Sequence, residues 1–442
     1  MRDYPKLIGP LPGPRARAVI ERDARTMSQN YRKDYPLVID HALGQVVVDV
    51  DGNRFLDFAA GIAVASTGHC HPDVVAAVKR QSERLLHLCA TDFYNEDVVT
   101  LAEGLARRAP GPGPWRVFFA NSGAEVVEGA IKLARLRTGR PKVVAFYGAF
   151  HGRTYGALSL TASKPVQRWG YAPLLPEVLH THYAYCYRCP VNRHPDTCKV
   201  ECLDLLTETM FSTTTDPSEI AAVIVEPVQG EGGYVVPHAG FLPRLREVTR
   251  QHGILLIADE VQCGMGRTGR MFASEHFGLE PDIITLAKGI ASGMPLGALI
   301  AKDDVMQWQS GGHGSTFGGN PVSIAAGLAT LRLLEDSLIA NAERVGRVLM
   351  TALRDRLGAH AVVGDVRGLG LMIGVEIVRD RFRREPAPDL RERILEEAFK
   401  RGLLLLGCGR STIRLAPPLI VDEEDAAMAA RILEEAVIAA TT

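Results

Sequence analysis

The chain has 442 residues, of which 46% are hydrophobic and 23% charged, and its formal net charge is -1. That length exceeds one hydrophobic core and predicts two domains, and the composition excludes a disordered or fibrous protein. A near-zero charge offers no attraction to nucleic acid or an anionic membrane, and no apolar run reaches the roughly eighteen residues of a span, so small molecules are the expected partners.

The first residues, Met1 to Arg17, are rich in proline and charge and lack the apolar region of a secretory signal, so a cytoplasmic location is expected. Eight cysteines in such a chain read as reduced thiols or metal ligands before disulfides. From Pro36 to Ala60 the pattern is short and strand-like: Val47 to Val50, the Asp51-Gly52 turn, then Phe55 to Phe58. Val74, Val75, Val78, Leu85 and Leu86 recur at helical spacing, and a second amphipathic helix spans Val98 to Ala106.

Apolar runs then alternate with helices, the mark of a parallel α/β sheet. The runs are Val117–Phe119, Val143–Phe146, Ala222–Val225, Ile254–Ala258, Ile283–Leu286 and Ala298–Ala301; the helices include Ala124–Arg137, Phe241–His252 and Pro321–Leu334. Beyond Asp336 come short strands at Leu371–Ile377, Leu403–Leu406 and Thr412–Leu415, and a last helix from Glu423 to Ala439. The expected division is a large α/β domain over 61–335 and a smaller α+β domain built from 1–60 and 336–442.

Two strand ends carry the chemistry. Ile254–Ala258 runs into Asp259, and Ile283–Leu286 runs into Ala287-Lys288-Gly289, so an acid and a lysine emerge at the carboxyl edge, where open α/β sheets bind ligands. Alone, the acid reads as a helix cap and the lysine as an exposed strand end. Together they match the needs of pyridoxal phosphate: a lysine for the Schiff base and a carboxylate to keep the pyridine nitrogen protonated. Asn121-Ser122-Gly123-Ala124, where Val117–Phe119 turns into a helix, supplies a phosphate site from free amides and the helix dipole, although Ser122 by itself would be an ordinary N-cap.

Eight ordered segments carry a resemblance that covers the chain from about Pro36 onward. They are NSGAEVVEGAIKLAR (121–135), FHGRT (150–154), EPVQGEGG (226–233), LLIADEVQCGMGRTG (255–269), AKGIASGMPLGA (287–298), HGSTFGGNP (313–321), GDVRGLG (364–370) and IRLAPPL (413–419). This pattern resembles the class III, fold-type-I pyridoxal-phosphate aminotransferases. The resemblance implies that Lys288 forms the cofactor linkage and shuttles protons, that Asp259 pairs with the pyridinium, and that Gln262 bonds the ring's 3-oxygen. It implies that Phe150 stacks on the ring, that Ser122, Gly123 and Ala124 hold the phosphate, and that Thr316 reaches the phosphate of a neighbouring subunit in a homodimer. Pairing of dimers into tetramers is left open.

For the substrate, the resemblance assigns Arg414 to the α-carboxylate of glutamate or 2-oxoglutarate, Glu231 to a gate over Arg414, Arg153 to the distal carboxylate of an ω-amino acid, and Ile62 to the pocket wall. The strings GIAVASTGHCHP (61–72), GDVRGLG and LLLLGCG (403–409) resemble the 4-aminobutyrate branch, whereas LPGPRARAVIERD (11–23) resembles a group with amino-acid racemases. The expected activity is amino transfer from an ω-amino acid such as 4-aminobutyrate to a 2-oxo acid. An ornithine or acetylornithine aminotransferase and an amino-acid racemase are the alternatives. Finally, Cys186, Cys189, Cys198 and Cys202 form two close pairs, with His182 and His194 nearby, a pattern that suits a structural zinc or iron–sulfur site as well as free thiols.

Overall fold

A computed structural model describes residues 2–442. The first strands, β1 (Ile39–Leu43), β2 (Val46–Asp49) and β3 (Arg54–Asp57), form an antiparallel set. Asp49 holds the turn between β2 and β3, accepting from the amides of Asp51 and Asn53 at 3.0 and 2.8 Å. A helix at Pro14–Thr26, absent from the sequence reading, sits against that turn, because the Asp51 carboxylate accepts from the amides of Arg15 and Ala16 in its first turn.

The central sheet has seven strands: β4 (Trp115–Ala120), β5 (Lys142–Phe146), β6 (Val178–Thr181), β7 (Ile220–Val225), β8 (Leu255–Asp259), β9 (Ile283–Leu286) and β10 (Gly297–Lys302), in the order β4-β10-β9-β8-β7-β5-β6. The pairs from β9 through β6 are parallel, and β10 runs antiparallel to both of its neighbours. Successive residues of a strand point to opposite faces. Val143, Ile224 and Ile257 accordingly pack with Val126, Ala130 and Leu133 of the helix Gly123–Thr138. Their neighbours Val144, Val225 and Leu256 pack with Phe241 and Leu245 of the helix Phe241–Gln251. Apolar cover on both faces explains why these strands read as continuous hydrophobic runs.

The helix Pro321–Leu333 passes through one π-turn, Leu334–Leu338, into the helix Ile339–Leu357. A second sheet follows, from β11 (Val363–Leu369), β12 (Met372–Asp380), β13 (Glu385–Pro386), β15 (Leu406–Cys408) and β16 (Thr412–Leu415). The single strand expected at Leu403–Leu406 is two. β14 (Leu403–Leu404) pairs in parallel with β3, and β15 crosses to β16, so the two chain ends meet in one sheet. The last helix, Glu423–Thr441, starts at an Asp422 cap. No helix among the described residues is long and apolar enough to cross a membrane.

Candidate active site

The parallel pairing of β8 with β9 sets Asp259 beside Thr285 at the carboxyl edge of the sheet. Asp259 is buried, and each carboxylate oxygen is engaged: Oδ1 accepts from the Thr285 hydroxyl at 3.0 Å and the Val261 amide at 3.1 Å, and Oδ2 pairs with His151 Nδ1 at 2.6 Å. A carboxylate only accepts, so Nδ1 of His151 carries the proton. These bonds fix the position of the carboxylate.

Two residues past the end of β9, Lys288 takes φ +42°, a left-handed conformation that a side chain with a Cβ adopts only under constraint from its surroundings. It forms no hydrogen bond or ion pair among the described residues. Burial pushes its amine below the usual lysine range, against the attraction of Asp259 and Glu226. The lysine read as a strand-end surface residue on its own is thus an unpaired, activated amine. Lys288 and Asp259 line one cavity of about 380 Å³ with Ser122, Gly123, Ala124, Phe150 and Arg153.

The turn after β4 is built as a cap and as an opening. Ser122 accepts from the Glu125 amide at 3.3 Å and Glu125 accepts from the Asn121 amide at 2.5 Å, which leaves the amides of Gly123 and Ala124 without a partner among the described residues. A Cβ on Gly123 would stand 3.0 Å from a Val261 methyl, so glycine lets this turn approach the end of β8. Phe150 is tied back by its amide, which donates to the buried Glu226 at 3.0 Å; Glu226 also accepts from the Gly230 amide at 2.8 Å. Burial pushes the Glu226 carboxyl up to about 7. A buried acid held by three donors, an unpaired amine, an aromatic ring and free helix-start amides around one cavity fit pyridoxal phosphate: anchor points for ring nitrogen, aldehyde, ring face and phosphate are all present.

Beside this cavity, Arg414 of β16 is buried and ion-paired with Glu231 Oε1, and the other oxygen, Oε2, takes Lys164 Nζ at 3.2 Å. Burial works to raise the Glu231 carboxyl, but Arg414 and Lys164 outweigh it and hold it below the usual range. Gln262 is also buried, its Oε1 accepting from the Tyr234 hydroxyl at 3.0 Å. A Cβ on Gly230 would fall 2.3 Å from Gln262 Nε2, so the glycine-rich segment before Tyr234 is what admits Gln262. Arg153 is exposed, with its guanidinium 5.7 Å from the Phe150 ring centroid.

Of the expected residues, Gln262, Glu231, Arg414, Ile62 and Thr316 are not among those lining this cavity. Gln262 and Arg414 are buried, whereas Ile62 is exposed, on a short segment of left-handed residues, and Thr316 is exposed on the loop before Pro321. Sequence reasoning missed His151, Thr285, Glu226, Tyr234 and Lys164. His151 and Glu226 lie inside quoted motifs, but only contact geometry assigns them partners.

The zinc or iron–sulfur site expected of Cys186, Cys189, Cys198 and Cys202 is not assembled. Among the described residues no group of three or more Cys, His, Asp or Glu side chains is gathered as for a metal. Cys189 accepts from the Arg193 amide at 3.3 Å, Cys198 donates to Glu201 at 3.4 Å, Cys202 is buried with Tyr183, Val200 and Leu203, and all four are free thiols. His194 turns its ring to the Asp196 amide and is exposed.

The family model for class-III aminotransferases matches residues 26–437. The chain belongs to the class-III aminotransferase family. Among its relatives in that family, the 4-aminobutyrate aminotransferase of Mycobacterium tuberculosis H37Rv is 41% identical over 95% of this chain and 95% of its own length. The alanine/serine racemase of Pyrococcus horikoshii is also 41% identical, over 99% of this chain and 93% of its own. A crystal structure of an amine transaminase from an uncultivated Pseudomonas species, in its pyridoxal-phosphate-bound form, superposes with a TM-score of 0.86 at 35% identity, covering 94% of this chain and 96% of that one.

Proposed function

We propose that this aminotransferase moves the amino group of an ω-amino acid such as 4-aminobutyrate to 2-oxoglutarate, giving an aldehyde and glutamate, as a cytoplasmic homodimer. The observation that carries the reading is the Glu231–Arg414 pair beside the lysine cavity. A free buried arginine would always demand an α-carboxylate, because a planar guanidinium grips one with two parallel bonds. With Glu231 on Arg414 that demand is cancelled, and an amine-bearing carbon without a carboxylate can sit there while Arg153, exposed at the cavity wall, takes the distal carboxylate. When Glu231 withdraws, Arg414 serves glutamate and 2-oxoglutarate.

Pyridoxal phosphate, when bound, supplies an electron sink for the pair released as a proton leaves the substrate carbon. Asp259, held by His151 and Thr285, keeps the proton on the pyridine nitrogen that this sink requires. Lys288, its amine brought below the usual lysine range by burial, would take the proton from the amine-bearing carbon and hold it for return. The amides of Gly123 and Ala124 and the Ser122 hydroxyl hold the phosphate, Phe150 flanks the ring, and Gln262 donates to the 3-oxygen. Thr316 serves the phosphate across the dimer, with Ile62 covering the substrate side. The exposed aromatics Phe93, Tyr94 and Phe317 support that pairing, the His87 ring lying tilted with its centroid 4.9 Å from that of Phe317. The large domain over 61–335 carries the cofactor and the small domain, 1–60 with 336–442, carries Arg414.

Racemisation is the second reading, favoured by the equal identity to the racemase relative. It begins with the same proton removal but returns the proton to the opposite face of the same carbon. Incubation with 2-oxoglutarate and, separately, 4-aminobutyrate, 5-aminovalerate, ornithine and acetylornithine distinguishes the donors. Glutamate should form fastest from 4-aminobutyrate or 5-aminovalerate, whose distal carboxylate carries no neighbouring amine or amide. Faster formation from ornithine would move the assignment within the family.

A further inference from the structure

Glu231 is shared between two cations, and only one of them has a role so far. Its carboxylate is 14% exposed; Oε1 lies on Arg414 and Oε2 on Lys164, which is itself 37% exposed. The Lys164 ammonium forms no other hydrogen bond or ion pair among the described residues. The backbone on both sides is fixed. Lys164 precedes the turn Pro165–Gln167, closed by a 2.7 Å bond from Ser163 to the buried Gln167. On the other side, the Glu231 carbonyl accepts from the Gly409 amide at 2.8 Å, and Arg367 donates to the carbonyls of Gly233 and Tyr234. On this frame the less costly opening is a turn of the Glu231 side chain, which breaks none of these backbone bonds.

Turning it off Arg414 creates an electrostatic problem. The carboxylate would lose its nearest cation while still largely buried, and leaving one partner of a buried ion pair without a countercharge is strongly unfavourable. Lys164 removes that penalty, since it already holds one oxygen and its ammonium reaches solvent. We propose that Lys164 is the second seat of the gate: it keeps Glu231 while Arg414 takes the α-carboxylate of glutamate or 2-oxoglutarate, so it sets the balance between the two half-reactions without touching either substrate. Lys164 is a positioning residue in this scheme, which rests on the gate reading of Glu231 and Arg414.

The test uses holoenzyme and three single variants: Lys164→Met, Lys164→Arg and Glu231→Ala. Two readouts are taken: the ratio of single-turnover rate constants (kcat/KM form) for glutamate and for 4-aminobutyrate, and the calorimetric Kd of glutarate, a dicarboxylate that cannot react. In Lys164→Met the ratio should fall against glutamate by on the order of tenfold or more and glutarate should bind correspondingly more weakly, with Lys164→Arg restoring both. In Glu231→Ala the ratio should move the opposite way, toward glutamate. In the Glu231→Ala/Lys164→Met double variant, removing Lys164 should have no further effect. If Lys164→Met lowers both half-reactions equally, or its effect persists without Glu231, the Lys164 inference is overturned while the gate stands. If Glu231→Ala leaves the ratio unchanged, the gate falls and the inference with it.

Discussion

At the scale of single residues, the site is a set of charges kept in unusual states by their neighbours. Asp259 is held by three donors, and burial brings the Lys288 amine, which has no bonded partner, below the usual lysine range. Lys288→Ala should therefore lose the covalent absorption band of bound pyridoxal phosphate and slow turnover by about 10²–10⁴-fold, the contribution of a positioned acid–base group. Absorption spectra and steady-state rates check both. Lys288, Asp259 and the Ser122 turn were legible because each lies at the end of an apolar run, where a lone polar residue stands out. His151 was not, since its bond to Asp259 joins positions 108 residues apart. Lys164 was hidden for the same reason: no local pattern marks a lysine that pairs 67 residues along the chain.

At the scale of elements, the runs of the central sheet were readable because both faces are covered, so every residue of β7 is buried. The second sheet was harder. Leu403 to Leu406 is one apolar run, yet it feeds two sheets, and which strand it joins depends on partners at β3 and β16. β11 was missed because its glycines and charges, Gly364, Asp365, Arg367 and Gly368, do not look strand-like; they serve a buried polar node instead. There Glu376 accepts from Arg367 and Arg188 at 2.8 Å each and from Thr412 at 2.7 Å, tying β12 to the segment that carries Glu231. Burial works to raise the Glu376 carboxyl, but the two arginines dominate and bring it to about 2. Its folded value lies below the unfolded one, so this stabilisation is complete above about pH 4.5 and is lost as pH falls toward 2. Glu376→Gln should cost about 3–5 kcal/mol at neutral pH and flatten the loss of stability between pH 4.5 and 2, as followed by chemical denaturation at each pH.

At the scale of the whole molecule, the chain leaves Phe93, Tyr94 and Phe317 in the open, and Thr316 and Ile62 are exposed and do not line its own cavity. The proposed homodimer would account for both, and the sequence suggested it only through the family resemblance. Tyr94→Asp with Phe317→Asp should shift the particle from twice the chain mass to the monomer in light scattering and weaken phosphate retention by the cofactor site, because a charge in an apolar interface is costly to bury. The chain is a class-III aminotransferase, and in the proposed function the Glu231–Arg414–Lys164 arrangement decides which amine and which acid it uses. The most direct measurement is the fate of nitrogen. With ¹⁵N-labelled 4-aminobutyrate and unlabelled 2-oxoglutarate, the account predicts ¹⁵N-glutamate by mass spectrometry in step with aldehyde release. No labelled glutamate, together with decay of the optical rotation of L-alanine or L-serine under the same conditions, would contradict it.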